Sequence, residues 1–452
     1  MLLNNTEIFL DRCSVKSLPV QIQNFIIDNQ LVSSRENQFV SFCGVILLEG
    51  KKYVFFPRST DKKIIDSDQY KYAKLLVSTL HRYFNQTKNT VFHPDDEFQP
   101  SDMLGLDQFE IRRKILTDYL DNGLFFSKQD ALRKNKGKIN WNITLKKGSL
   151  FPDKNNSPIY LDYYSKKIND FHDEVAKIHV GVLQQIFEDN LFFDTKFKKI
   201  PYSVKYANAS KLNTISKIKI LKSELKNQYN SRSIRLIKLL IDFLKNYCTK
   251  NSKSTVVGVT KFHYAWEHML AETQSNTVNL NNLLPKPMYI ATDTTKKPAI
   301  KGSMRTDICF IDELTKTVTI IDAKYYQATS VENAPGWGDL VKQFFYEKAL
   351  KTLPRYSEYT IKNMMIFPGS TQNFEKVRMA SILRPIPNLS HFIFKEVISF
   401  SLRDAILKKF IINSDYLQFR DKDFPPLDCN YIPPLKLMDL YHNHQKADLI
   451  HI

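Results

Sequence analysis

The first sixty residues show short apolar runs of strand character, and helical spacing takes over after them. Gln38–Leu48 and Lys52–Phe56 are β-prone runs parted by Glu49, Gly50 and Lys51, which predicts a hairpin. Tyr70–Phe84 carries Leu75, Leu76, Leu80 and Tyr83 at helical spacing, and Phe109–Tyr119 is a second helix candidate. Ile139–Thr144 reads as a strand closing a basic loop, with Trp141 as a core aromatic. Gly148–Pro158, rich in proline, asparagine and aspartate, reads as a loop. Asp170–Phe187 places Val175, Ile178, Val182, Leu183 and Ile186 on one helix face, and Ser210–Tyr247 reads as one or two long helices.

The pattern changes again towards the C-terminus. Val259–Gln274 is a helix with Phe262, Trp266, Met269 and Thr273 along one stripe. Ile308–Ile311 and Val318–Ala323 are strands joined by the polar turn Asp312–Thr317. Asp339–Leu350 is a helix, and Tyr359–Phe367 and Phe392–Phe400 are further strands. Helix, strand, strand, helix, strand predicts a sheet covered by helices. The fold class expected for the whole chain is α/β and α+β multidomain: a mixed β/α part over 1–150, a basic helical region over 151–255, and an α/β core over 256–452. At 452 residues the chain is long for one domain.

Composition narrows the partners. The chain carries a formal charge of +18, which favours a polyanion, nucleic acid first. Between Lys196 and Lys253 the only acids are Glu224 and Asp242; a solvated helix face explains that run at least as well as a DNA track. No apolar run approaches membrane-helix length, and the N-terminus lacks the pattern of a signal peptide. Cys13, Cys43, Cys248, Cys309 and Cys429 are scattered, with no CxxC pair, so a zinc ribbon or disulfide framework is not expected and a reducing cytoplasm fits. Neither GxxxxGK[ST] nor GxGxxG occurs, so the chain is not expected to hydrolyse nucleotides by itself.

The chemistry gathers on the two adjacent strands. Asp307 opens the first, and Asp322 and Lys324 stand near the end of the second. In an antiparallel hairpin the start of one strand lies beside the end of the next, so both carboxylates meet. Asp322 and Lys324, two apart, point to one face. Phosphodiester hydrolysis needs this set. Mg²⁺ takes oxygen ligands, one or two of them carboxylates, and helps ionise a bound water. A lysine offsets charge growing on the phosphorane. Glu267, from the preceding helix, can complete the metal's surroundings, and Gln343, on the following helix, can position the scissile region.

Asp307…Asp322-Ala323-Lys324 resembles the PD-(D/E)XK nuclease signature, with Thr306 in place of the proline. The surrounding Tyr264–Glu267, Arg305–Ile308, Ile321–Tyr326 and Trp337–Gln343 resemble LlaJI-type restriction endonucleases, relatives of the McrC nuclease subunit. The resemblance extends upstream to Phe42–Val45, Val54–Pro57 and Gly137–Trp141. It implies a Mg²⁺-dependent endonuclease of a restriction system acting on double-stranded DNA, with metal held by Asp307, Asp322 and Glu267. It further implies activation by a separate McrB-like AAA+ GTPase ring, which binds the GTP, with residues 1–150 docking on that ring and 256–452 forming the nuclease domain. The basic run Lys128, Arg133, Lys134, Lys136 and Lys138 is the expected docking feature, or else a solvated hairpin. The helix with Gln343 matches the QxxxY pattern of related nucleases imperfectly, because Tyr346 falls three residues on and Glu347 four.

Each residue also has a plainer explanation. A lone aspartate such as Asp307 often starts a turn, and a glutamate such as Glu267 is ordinary on a helix. Asp322 resists that treatment, because it ends an apolar run where an unpartnered carboxylate is costly. His263 and His268 are five apart, the wrong spacing for a helical zinc pair. Two other functions remain open: a non-catalytic DNA-binding or assembly subunit with a nuclease fold, and a PD-(D/E)XK repair nuclease.

Overall fold

The computed structural model describes residues 6–33, 38–87, 102–125, 129–135, 138–153, 158–169, 173–189, 191–192, 200–249, 254–292, 294–299, 304–382, 416–418 and 424–449. The chain divides into two compact units: Met1–Val45, Lys52–Leu104 and Gly258–Ile452 form one, and Ile46–Lys51 and Gly105–Val257 the other. The molecule is a mixed α/β protein with several sheets.

A six-stranded mixed sheet organises the first unit. Its order is Thr277–Val278, Ile308–Asp312, Thr317–Ala323, Thr360–Pro368, Leu427–Ile432, Lys376–Val377. Ile308–Asp312 and Thr317–Ala323 form the expected antiparallel hairpin. Its turn is fixed by Asp312, whose carboxylate accepts from the Leu314 amide at 3.0 Å and the Thr315 hydroxyl at 2.6 Å. The next two strands then run parallel to Thr317–Ala323. Parallel neighbours need a crossover, which the helix Trp337–Lys351 supplies. The two central strands are buried nearly end to end, as a sheet covered on both faces requires. Ala349 and Leu350 of the crossover helix pack with Val318, Ile320 and Ile361 of the strands.

The helix Phe262–Thr273 buries Phe262, Trp266, Met269 and Thr273, the stripe expected for it. It packs against the helices Gln69–Thr87 and Pro434–His442. A five-stranded sheet runs Thr6–Leu10, Lys51–Phe56, Cys43–Leu48, Ser254–Val259, Met103–Leu104. The expected hairpin is present there: Glu49 and Gly50 both have positive φ, 50° and 80°, the backbone of a tight two-residue turn.

The second unit is mainly helical. Asp173–Asp189 buries Val175, Ile178, Val182, Leu183 and Ile186, the face expected for it. Ser210–Tyr247 resolves into two helices, Thr214–Lys226 and Ser231–Thr249. Buried Asp118 is held by Arg232 at 3.0 Å and buried Asp189 by Arg112 at 3.3 Å. One expectation is overturned here: Trp141–Lys147 is a helix, not a strand. The Asn140 side chain accepts from the Ile143 amide and caps it, and local capping outweighs the β propensity of the run. Trp141 is correspondingly 57% exposed rather than a core aromatic. The stretch Gly148–Pro158, expected as a loop, includes the strand Leu150–Pro152, which pairs with Pro158–Tyr160. The basic run forms the strand Gln129–Lys134, antiparallel to Tyr164–Asn169, and Lys134 meets Asp162 at 2.7 Å. Lys128, Lys136 and the strand expected at Phe392–Phe400 lie outside the described residues. Among the described residues no helix is long and apolar enough to cross a membrane.

Candidate active site

The hairpin register brings the acids together. Ile308 pairs with Ile321, so Asp307 and Asp322 face each other one step further on. Asp307 Oδ2 accepts the Ala323 amide at 2.9 Å, which ties the start of one strand to the end of the other. Lys324 Nζ lies 3.0 Å from Asp322 Oδ2, as expected for residues two apart on one face. Its backbone amide donates to Ile366 O at 2.9 Å, so the sheet itself fixes where the lysine begins.

Glu267 reaches the same group from the helix Phe262–Thr273. Burial, then repulsion from Asp307 and Asp322, pushes its carboxyl up to about 8. Burial and the charge of Asp307 raise Asp322 to about 7, against the pull of Lys324. Crowding by protein atoms also raises Asp307, opposed by the Ala323 amide and Lys324, although the residue keeps solvent access along the cleft. Burial pulls the Lys324 ammonium down, but Asp322 and Asp339 outweigh it and hold the group firmly protonated.

Two residues complete the picture: Asp339, to which the sequence assigned no role, and Tyr346, which it offered only as an imperfect match to QxxxY. Asp339 Oδ1 accepts from Lys324 Nζ at 2.9 Å, so the lysine lies between two carboxylates. Tyr346 donates its hydroxyl to Arg305 O at 2.6 Å. The signal for Asp339 was its place in the first turn of the crossover helix, facing the strand end it follows. Gln343 sits one turn beyond Asp339, is 1% exposed, and its Oε1 meets no donor among the described residues. The site is also tied to the N-terminal sheet. The Arg58 amide donates to Tyr325 Oη at 2.9 Å and Arg58 Nη1 to Tyr325 O at 2.9 Å.

A cleft of about 600 Å³ reaches Glu267 and Asp307 of this group, lined also by Tyr83, Tyr264, Arg305 and Thr306. Three carboxylates raised by burial or mutual repulsion form a centre short of positive charge. Among the described residues, buried Asp322 Oδ2 finds no well-aligned hydrogen bond, despite its ion contact with Lys324. These features fit a hard divalent cation. Among the described residues no three acidic, histidine or cysteine side chains are gathered tightly enough to enclose an ion by themselves.

Comparison with known proteins adds the following. A family model described as LlaJI restriction endonuclease matches residues 42–392. The type II restriction enzyme BsuMI component YdjA of Bacillus subtilis (strain 168) is 26% identical over 256 residues, 52% of this chain and 52% of that protein. The chain thus matches about half the length of that curated relative. Among solved structures, the refined half-complex from the tetradecameric assembly of Thermococcus gammatolerans McrB AAA+ hexamers with bound McrC aligns over 97% of this chain and 99% of that one. The TM-score is 0.38 and the sequence identity 10%.

Proposed function

The chain belongs to the LlaJI restriction endonuclease family, and from that membership and the geometry of the cleft we propose that it is the Mg²⁺-dependent DNA endonuclease subunit of a restriction system. The observation that carries this reading is the meeting of Asp307 and Asp322 through the hairpin register, with Lys324 against Asp322 and Glu267 lining one cleft with Asp307. The hairpin, the crossover helix and the parallel strand after it support a PD-(D/E)XK core over residues 256–452.

Asp307, Asp322 and Glu267 are the residues that would hold the metal. When bound, Mg²⁺ supplies polarisation of the scissile phosphodiester and a more acidic attacking water. Burial and mutual repulsion favour the protonated forms of Glu267 and Asp322 near neutral pH, and a bound cation would favour their ionised forms. Lys324 stays charged beside Asp322 and Asp339 and offsets negative charge growing on the phosphate oxygens. The burial of Gln343 favours a role inside the frame of the site over direct contact with DNA.

The substrate in this reading is double-stranded DNA, drawn by a charge of +18. The chain has no phosphate-binding loop of its own. The family resemblance assigns nucleotide hydrolysis in this reading to a McrB-like AAA+ GTPase ring, which binds the GTP, with residues 1–150 docking on it. The test is plasmid DNA with Mg²⁺, with and without a ring-forming GTPase. Cleavage that needs both metal and partner, and that Asp322→Ala abolishes in a folded chain, is the expected result. Full activity of Asp322→Ala overturns the site. DNA binding without cleavage under every condition favours an assembly subunit, and cleavage without a partner favours a repair-type nuclease.

A further inference from the structure

Signatures of this kind carry proline before the first aspartate, where the ring fixes φ and removes an N–H. This chain carries Thr306 there, a residue with a freer backbone and an amide that needs a partner once buried. We propose that Asn281 takes over the work of that proline: it is a positioning residue that clamps the Thr306 backbone and so aims Asp307 at the acidic centre. The proposal rests on the nuclease reading above, which requires Asp307 to hold one direction.

The clamp uses both ends of one side-chain amide. The Thr306 amide and hydroxyl donate to Asn281 Oδ1, each at 2.9 Å. Asn281 Nδ2 donates to Thr306 O at 3.2 Å. The N–H and C=O of a single residue are thereby read together, which restrains φ and ψ at once. Thr306 is 5% exposed, so water does not compete for these groups. The Cys309 thiol donates to the Thr306 hydroxyl at 3.2 Å and holds the side chain from the strand.

Asn281 is itself held in place. Its amide donates to Asn279 Oδ1 at 3.0 Å, a local side-chain turn. Leu280 and Leu284 on either side are buried in the cluster that contains Cys309, Val318 and Ile320. The loop is therefore anchored in the same core as the hairpin it steadies. Three consecutive residues end up pinned from three directions: Arg305 O by Tyr346, Thr306 by Asn281, and the Asp307 carboxylate by the Ala323 amide. A residue that only filled space would not need matched bonds to both backbone groups of the residue before the acid.

The experiment compares the unsubstituted chain, Asn281→Ala, and Asn281→Ala with Thr306→Pro. Divalent-cation affinity is read by calorimetry with Mn²⁺, and backbone exchange is read over Val318–Tyr325, which includes the Ala323 amide. Asn281→Ala is expected to melt as a folded protein, to bind Mn²⁺ roughly 10- to 100-fold more weakly, and to exchange faster over that segment. Adding proline at 306 removes the amide that Asn281 satisfied and fixes φ through its ring, so affinity and protection are expected to return towards those of the unsubstituted chain. Unchanged affinity and exchange in folded Asn281→Ala overturns the proposal, as does a folded double variant no better than the single one. An unsubstituted chain that binds no divalent cation counts against the nuclease reading instead, and the exchange comparison then decides the role of Asn281 alone.

Discussion

Asp339 holds the Lys324 ammonium from the helix that follows it, Oδ1 at 2.9 Å from Nζ, while Asp322 holds it from the strand at 3.0 Å. A lysine fixed by one carboxylate can swing, whereas two fix its direction. Asp339→Asn keeps the shape and removes one charge. Cleavage is expected to fall roughly tenfold, the lower end for a residue that orients a catalytic group, with cation affinity unchanged. In Lys324→Ala the same change should cost nothing further, because the two act as a unit. Additive losses in that double-mutant cycle would separate Asp339 from the lysine.

The acidic centre should make the ion-free protein less stable as pH rises. The folded values of Asp322 and Glu267, about 7 and about 8, lie above the ordinary 3.8 and 4.5. Their contribution to stability is complete below about pH 4 and is lost as pH rises through those folded values. Melting in chelator should therefore drop between pH 5 and pH 8.5. Asp322→Asn should flatten that drop and raise the pH 8.5 midpoint by at least about 2 °C, and a divalent cation should raise the unsubstituted chain. A midpoint that is level or rising with pH, and unaffected by Asp322→Asn, contradicts this.

His179 should make the second unit sensitive to acid. The Phe125 amide donates to its Nδ1 at 3.1 Å, so the ring is held neutral, and burial pulls it down from 6.5 to about 4. Its contribution is present above pH 6.5 and lost as pH falls through about 4, a loss on the order of 3 kcal/mol. Urea unfolding at pH 7 and pH 4.5 should show it, and His179→Gln, which keeps an acceptor, should reduce the difference. An identical pH dependence in both proteins would rule His179 out as its source.

If the proposed GTPase ring is the partner, charge reversal at Arg133, Lys134 and Lys136 should weaken binding to it and blunt stimulation of its GTP hydrolysis. Cation affinity of the nuclease should not change. Lys134 is part-neutralised by Asp162, so Lys134→Glu alone should have the smallest effect of the three. A triple variant that co-purifies with the ring and stimulates it normally moves the docking surface elsewhere.

The meeting of Asp307, Asp322 and Lys324 was legible in the sequence because it follows from local rules. Apolar strands, a polar turn opened by Asp312, and a period of two leave little choice of register. Asn281 and Asp339 were not legible. Their contacts cross 25 and 15 residues of chain, and they depend on how a loop and a helix pack rather than on any repeat. The helix at Trp141–Lys147 was missed for a different reason. Ile139–Thr144 has β-branched and aromatic residues in plenty, but Asn140 satisfies an amide that only a helix start leaves unpaired.

The strand order of the six-stranded sheet bears on how this protein comes into being. Arg58 is made before Tyr325 and can hold it at once, but the Leu427–Ile432 strand that flanks Thr360–Pro368 emerges well after Asp322. A ribosome therefore exposes Asp307 and Asp322 well before the sheet that supports them can close. Truncated translation products would carry the reactive residues without the frame that aligns them. In the nuclease reading, the alignment of the site thus waits on the last-made strand of its sheet.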